Sequence, residues 1–317
     1  MIKNKKIFIT GGAGFIGSHL CQALLAENEI TIYDSYRRNA LKYLNLENHS
    51  HIRLINNDIL NYDSLRNAIK SHDIVIHLAA IAGVSSYYES PLRTMEVNLL
   101  GTYYTLKASL ENHIKLFLNC STSEVYGPFI FDADENGLTQ QGPATVSRWS
   151  YSVSKLAAEH FSFAFNKESG IPIVSVRPFN IYGPGQIGEG AIQLFCRNVI
   201  KNEDLTVLGD GTQIRSWCFI SDFIDALLCC LSNEKALGQI FNIGNPAATV
   251  SILDLAKKIK EISHSDSEIK FKENKFTDVR LRVPSIEKAK KILGFQPRID
   301  LEHGLKKTFD WYKEVQL

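Results

Sequence analysis

The chain has 317 residues, with 35 Lys+Arg against 34 Asp+Glu, a formal net charge of +1 and 44% hydrophobic residues. That is an ordinary globular composition, long enough for one large domain or two of usual size, burying roughly 75% of the unfolded surface. The near-zero charge argues against a nucleic-acid partner held by a strong basic field, and no window approaches the ~18 uninterrupted apolar residues of a membrane span. The start, MIKNKKIFITGG, lacks the apolar region and cleavage site of a signal peptide, so a cytoplasmic protein is expected. The six cysteines form no C-x-x-C pair and sit mostly in apolar runs, as reduced packing residues do. No metal site is expected.

Strands are expected at 6–10, 29–34, 52–56, 73–79, 115–120 and 171–177, each a near-continuous β-branched and apolar run. Strands buried on both faces of a helix-covered parallel sheet read this way. Helical periodicity fills the gaps at 15–26, 61–71, 93–112 and 151–168. The repeated β-then-α order implies right-handed crossovers and an α/β, Rossmann-like doubly wound sheet. Beyond residue 177 the pattern loosens into a smaller α+β region. Helices are expected at 189–201, at 221–231 with Ser221 as N-cap, at 285–293 and at 301–315. A strand is expected at 239–244, and Ser251 with Asp254 fits a capping box before a further helix. The division expected is 1–177 for a cofactor-binding domain, joined by returning segments near 212–244, and 178–317 for a substrate region. The long polar loop 127–149 is expected to be functional.

FITGGAGFIGSHL follows the first strand and opens the first helix. Gly12, Gly14 and Gly17 satisfy G-x-G-x-x-G, and Gly11, Gly14 and Gly17 satisfy G-x-x-G-x-x-G. Glycines here permit a tight turn and let the backbone approach a pyrophosphate at the helix N-terminus. Asp34 ends the second strand twenty residues past Gly14, where a carboxylate accepts from ribose hydroxyls and repels a 2′-phosphate. NAD is therefore expected over NADP, although Arg37 and Arg38 stand nearby. Phe15 and Ile16 in the same turn, Asp58 and Ile59 after the third strand, and Ala79 in the HLAA run complete the expected cofactor surface.

YSVSK places Tyr151 and Lys155 on one helical face. An adjacent ammonium favours the phenolate of a group whose ordinary pKa is near ~10, and the phenolate then serves as a base. NCSTSEVYG follows the fifth strand, at the sheet end that holds ligands. Thr122 is placed to bind a reacting oxygen, Glu124 is a carboxylate close to it, and Ser123 lies between them.

As a set, TGGAGFIG, Asp34, HLAA, STSEVYG, YSVSK and RPFNIYGPG resemble an extended short-chain dehydrogenase/reductase, within the NAD-dependent epimerase/dehydratase group acting on nucleotide sugars. The resemblance runs from about residue 5 to KAKKILGFQP at 288–297. It implies NAD that is reduced and reoxidised within one turnover, a nucleotide-diphosphate sugar as substrate, and oxidation at sugar C4 to a ketone. It implies Tyr151 as base, Lys155 lowering its pKa and holding the nicotinamide ribose, and Thr122 on the C4 oxygen. Asn180, Arg215 and Arg282 match positions that hold the substrate diphosphate. A homodimer is also implied, with 156–165 as a candidate interface.

A 4-ketone acidifies C5–H and weakens a C5 carboxylate, so several reactions share this beginning. The Asp–Glu pair of 4,6-dehydratases is here Ser123–Glu124, with the base present and the acid missing. The Thr–Ser–Glu run resembles UDP-glucuronate decarboxylases. Chemistry at C5, by decarboxylation or an unusual dehydration, is expected ahead of simple 4-epimerisation. A catalytically inactive NAD-binding module is the reading from another class.

Overall fold

The structure is a computed structural model and describes residues 2–274 and 277–315. Its strands are β1 (Lys6–Thr10), β2 (Glu29–Asp34), β3 (Ile52–Asn56), β4 (Ile74–His77), β5 (Leu116–Cys120), β6 (Phe129–Ala133), β7 (Ile173–Pro178), β8 (Ile181–Tyr182), β9 (Leu205–Leu208), β10 (Ile214–Ser216), β11 (Cys218–Phe219), β12 (Gln239–Ile243), β13 (Thr249–Ser251), β14 (Ile269–Lys272) and β15 (Leu281–Pro284). Its helices are α1 (Phe15–Leu24), α2 (Tyr62–Ile69), α3 (Val84–Glu89), α4 (Pro91–Met95), α5 (Gly101–Glu111), α6 (Ser150–Ser169), α7 (Ala191–Ile200), α8 (Ile220–Ser232), α9 (Ile252–Ser263), α10 (Glu287–Leu293) and α11 (Leu301–Val315).

Seven strands form a parallel sheet in the order β12-β7-β5-β4-β1-β2-β3. Alternation along each strand feeds two cores. Ile7 and Ile9 join one cluster with Leu20, Leu24 and Phe223 of α1 and α8. Phe8 joins the other with Leu65, Leu106 and Phe117, under α2 and α5. The chain runs outward from β1 to β3, then returns to β4 on the other side of β1. Strand order reverses there, and the crevice at the carboxyl ends of β1 and β4 is the ligand position of open α/β sheets.

Three strands of the later part of the chain join β6 in a four-stranded sheet, β13-β10-β15-β6, and α7, α9 and α11 pack together. β12 returns to the large sheet beside β7, and α8 packs on α1.

Several elements differ from the sequence expectations. The helix expected at 93–112 is interrupted by a π-turn over Glu96–Leu100. The wider turn directs buried Asn98 inward, where it accepts from the Ile81 N–H at 2.8 Å and donates to Ser154 Oγ at 3.2 Å. Ser221 is not an N-cap: α8 starts at Ile220, with Phe219 at the cap and no side-chain cap bond. Ser251 is the N-cap of α9, accepting from the Asp254 N–H at 3.0 Å. The 127–149 loop contains β6, which pairs with β15. Its Phe129 and Phe131 are exposed, an inverted pattern that hides the strand from a reading based on buried apolar faces.

A buried network ties this loop to the sheet. Arg177, on β7, donates from Nε and Nη2 to the two oxygens of Glu159 on α6, at 2.9 and 2.7 Å. Its Nη1 donates to Tyr126 Oη at 2.7 Å. Breaking a buried pair strands a charge, at about 3–5 kcal/mol. Glu159→Gln is expected to lower unfolding stability by roughly that amount, read as a lower urea midpoint at unchanged slope.

Candidate active site

A cleft of about 750 Å³ crosses the carboxyl ends of the parallel strands. Gly11, Ala79, Thr122 and Asn180, which follow β1, β4, β5 and β7, all line it. Helix α1 opens on it with Gly14 as N-cap, no side-chain cap bond and no acid in the first turn. The N–H groups of Phe15, Ile16 and Gly17 thus begin a helix whose positive end is left for an anion. Gly11 has φ +71°, and a Cβ there would lie 2.5 Å from the Ala79 nitrogen. A Cβ on Gly17 would lie 2.6 Å from the Gly11 oxygen, so the turn closes only with glycine.

Asp34 is aimed by its own backbone: Oδ2 accepts from the Ala13 N–H at 3.0 Å and Oδ1 from the Tyr36 N–H at 2.8 Å. Burial pushes its pKa up and those N–H groups pull it back. Arg37 and Arg38 are engaged elsewhere. Arg37 donates to Ser86 Oγ at 3.1 Å, and Arg38 pairs with Glu189 at 3.7 Å. Asp58 accepts from the Leu60 N–H and pairs with Arg93, while buried Ile59 packs under Gly101. The uncapped helix start, the glycine cradle and the oriented carboxylate fit NAD.

The reacting end lies where β5 stops. Thr122 caps the short turn Ser123–Tyr126, its Oγ1 accepting from the Glu124 N–H at 3.2 Å. Tyr151 and Lys155 sit one turn apart on α6, both buried. Lys155 Nζ donates to the Cys120 carbonyl at 2.5 Å, which pins it beside β5. Burial lowers the Lys155 pKa. Burial raises that of Tyr151, and a hydrogen bond with Thr122 opposes the rise. The Tyr151 ring stacks on Tyr87 of α3, with centroids 4.7 Å apart and planes at 9°. Below them His77 is fixed between Thr10 and Thr102 at 2.8 and 2.9 Å, its pKa pushed down to about 3 by burial and by Lys155.

Glu124 stands between two guanidinium groups. Oε1 accepts from Arg282 Nη1 at 2.7 Å, and Oε2 forms an ion pair with Arg148 Nη2 at 2.7 Å without hydrogen-bond alignment. Arg282 also donates to the Gly127 carbonyl at 3.0 Å. Both arginine side chains are buried, and Arg148 Nη1 and Arg282 Nε have no hydrogen-bond partner. Burial alone would raise the Glu124 pKa, but Arg282 and Arg148 outweigh it and hold it at about 2. This carboxylate is therefore ionised at neutral pH and in contact with both guanidinium groups.

Thr122, Ser123, Glu124, Tyr151, Asn180 and Arg282 line one cleft with the glycine turn and Asp34. Asn180 adopts φ 41° and donates to the Ser216 carbonyl at 2.8 Å. Arg282, read as a diphosphate ligand, lies on the cleft wall and is bonded to Glu124. Arg215 is not among the residues lining the cleft; it lies beside Arg282 on the neighbouring strand and pairs with Asp278 at 3.1 Å. Burial, then Arg282, lowers its pKa to about 10. Sequence reasoning missed Arg148 and Tyr87. Arg148 precedes Tyr151 by three residues, the available signal; Tyr87 has none. Among the described residues, no group of three or more His, Cys, Asp or Glu is placed to hold a metal ion.

The model of the NAD dependent epimerase/dehydratase family matches residues 7–244. The chain is 36% identical to the UDP-N-acetyl-alpha-D-glucosaminuronate decarboxylase of Bacillus cytotoxicus, over 98% of this chain and 99% of that protein. It is 35% identical to UDP-glucuronic acid decarboxylase 6 of Arabidopsis thaliana, over 95% of this chain and 87% of that protein. Among solved structures it is similar to the UDP-glucuronic acid 4-epimerase of Bacillus cereus in complex with UDP-glucuronic acid and NAD. There the TM-score is 0.90 and the identity 33%, over 98% of this chain and 99% of that one.

Two outcomes are expected. Gly11→Ala pushes the turn off Ala79 and weakens NAD binding at least about tenfold, roughly 1.4 kcal/mol, measured by equilibrium titration of cofactor-free protein. The Glu124 pKa is depressed from 4.5 to about 2, equivalent to about 3 kcal/mol of stability. That contribution is full above the unfolded value and is lost as pH falls through the folded one. The stability gap between wild type and Glu124→Gln, from urea unfolding, is therefore expected to narrow by about 2 kcal/mol between about pH 6 and about pH 3.

Proposed function

Because the chain belongs to the NAD dependent epimerase/dehydratase family, we propose that it decarboxylates a nucleotide-diphosphate-linked uronic acid. It is an NAD-dependent nucleotide-sugar enzyme of the kind that oxidises C4 to a transient ketone. The observation that carries the choice of reaction is Glu124 held ionised between Arg148 and Arg282. A dehydration that starts by removing the C5 proton needs a free base at this position, and Glu124 is not one. Decarboxylation needs no base at C5. Two guanidiniums against one carboxylate also leave a buried positive charge, with Arg282 on the cleft wall, suited to a sugar bearing its own carboxylate.

The glycine turn and the N-terminus of α1 hold the pyrophosphate of NAD, and Asp34 holds the adenosine ribose. Phe15, Ile16, Asp58, Ile59 and Ala79 complete that surface. Bound there, the cofactor would supply the acceptor for the C4 hydride and the means of its return. Tyr151 accepts the C4 hydroxyl proton, Thr122 holds the same oxygen, and Lys155 supplies positive charge beside the phenolate. The resulting ketone is β to the C6 carboxylate. The C5–C6 bond breaks, CO2 leaves, and its electron pair moves into an enolate stabilised at the C4 oxygen. A proton then adds at C5, so that carboxylate plus one proton becomes C–H plus CO2. Glu124 acts by fixing the Arg282 guanidinium, and Ser123 and Asn180 line the sugar and diphosphate path.

We place the enzyme in the cytoplasm as a homodimer, without nucleic-acid or membrane partners. Exposed Leu100 on the helical run before α5 and Val153 on α6 support a helix-to-helix interface. Among the described residues no helix is long and apolar enough to cross a membrane.

The solved 4-epimerase relative favours a second reading, inversion at C4 of the same kind of uronate. Incubating NAD-loaded enzyme with UDP-glucuronate and weighing the products separates the two. Loss of one CO2 is expected, and an isomer of unchanged mass overturns the decarboxylase reading. Glu124→Gln is expected to cut turnover on the order of 100-fold, since the Arg282 guanidinium loses its anchor and misplacement by about 1 Å has that cost.

A further inference from the structure

Arg148 and Tyr87 are absent from the usual tyrosine–lysine chemistry, yet the structure joins both to the base. Tyr87 is buried, and its Oη accepts from the Gly83 N–H at 2.9 Å. Its ring lies parallel to that of Tyr151. The Arg148 guanidinium lies over the Tyr87 ring, 5.6 Å from the centroid, and is anchored by Glu124 at 2.7 Å. The cation thus lies over a ring that is itself stacked on the base, and both rings line the cleft.

We propose that Arg148 is the positioning residue that, through Tyr87, sets both the ring plane and the ionisation of Tyr151. The inference rests on the reading of Tyr151 as base. A parallel stack leaves the phenol little freedom except within its own plane, which holds Oη on Thr122. A guanidinium also stays charged at every working pH. Lys155 is a less constant cation, because burial lowers its pKa.

The groups facing Tyr151 set the sign. From the end of β5, Thr122 favours the phenolate and Cys120 and Glu124 oppose it. Arg148 favours it from the turn before α6, and Tyr87 faces it from α3. Lys155 shares its helix and has His77 behind it, and Arg282 on β15 neutralises part of Glu124. Removing the Arg148 charge loses its own contribution and frees the opposing charge of Glu124. Both changes move Tyr151 the same way, toward the protonated phenol.

The test is the pH profile of kcat/KM for UDP-glucuronate turnover by NAD-loaded wild type, R148M, R148K, Y87L, Y87F and Y151F, with NAD binding measured on each. R148M is expected to move the acid limb up by about one pH unit, a tenfold loss below the limb, with R148K restoring it. Y87L is expected to lower kcat about tenfold at unchanged KM, and Y87F, which keeps the ring, to stay close to wild type. An unmoved acid limb in R148M that folds and binds NAD overturns the proposal. Should R148M not fold, unchanged kcat in Y87L overturns it instead. Full turnover by Y151F overturns the base assignment itself, whereas an inactive Y151F with an unmoved R148M limb overturns only the role given to Arg148.

Discussion

The carboxylate of Glu124, clamped between Arg148 and Arg282, joins three parts of the molecule. Glu124 belongs to the turn after β5, Arg148 to the turn leading into α6, and Arg282 to β15 in the second sheet. Each group is buried at a cost that the others largely offset. The clamp therefore locks the second sheet against the cofactor-binding sheet, and it determines the charge of the cleft where the two meet. It also keeps Glu124 ionised, because Arg282 and Arg148 lower its pKa further than burial raises it.

The other end of the cleft follows from the reversal of strand order between β1 and β4. Those strands end side by side, and Gly11 comes so close to Ala79 that no side chain fits. The same approach exposes the start of α1 and sets Asp34 beside it. Arg37 and Arg38 look in sequence like ligands for an extra phosphate. In the fold they reach across the cleft to Ser86 and Glu189, tying the β2 end to α3 and to the segment before α7. Arg38 meets a carboxylate there, and Arg37 a neutral hydroxyl.

Much of this was legible in sequence, for a physical reason. Strands of a parallel sheet are apolar on both faces, so β1 to β5 and β7 stand out as continuous runs. The glycine turn and the Tyr151–Lys155 pair act over a few residues of one element, so spacing describes their geometry. Expectations failed where a neighbour decided the matter. The π-turn at 96–100 exists because Asn98 has partners on the loop after β4 and on α6. β6 exists because β15 offers an edge, while its own phenylalanines face outward. Ser221 lost its cap role because α8 starts one residue earlier.

The roles of Arg215 and Arg282 mark the same boundary. They sit side by side on β10 and β15, yet only Arg282 reaches the cleft, and its partner Glu124 lies 158 residues away in the chain. By itself the sequence determined the sheet, the dinucleotide turn and the tyrosine–lysine pair, because each is written in local periodicity or spacing. Only the tertiary structure decided which arginines meet Glu124, and hence how strongly its charge is held, because that follows from the electrostatics of side chains brought together from distant segments.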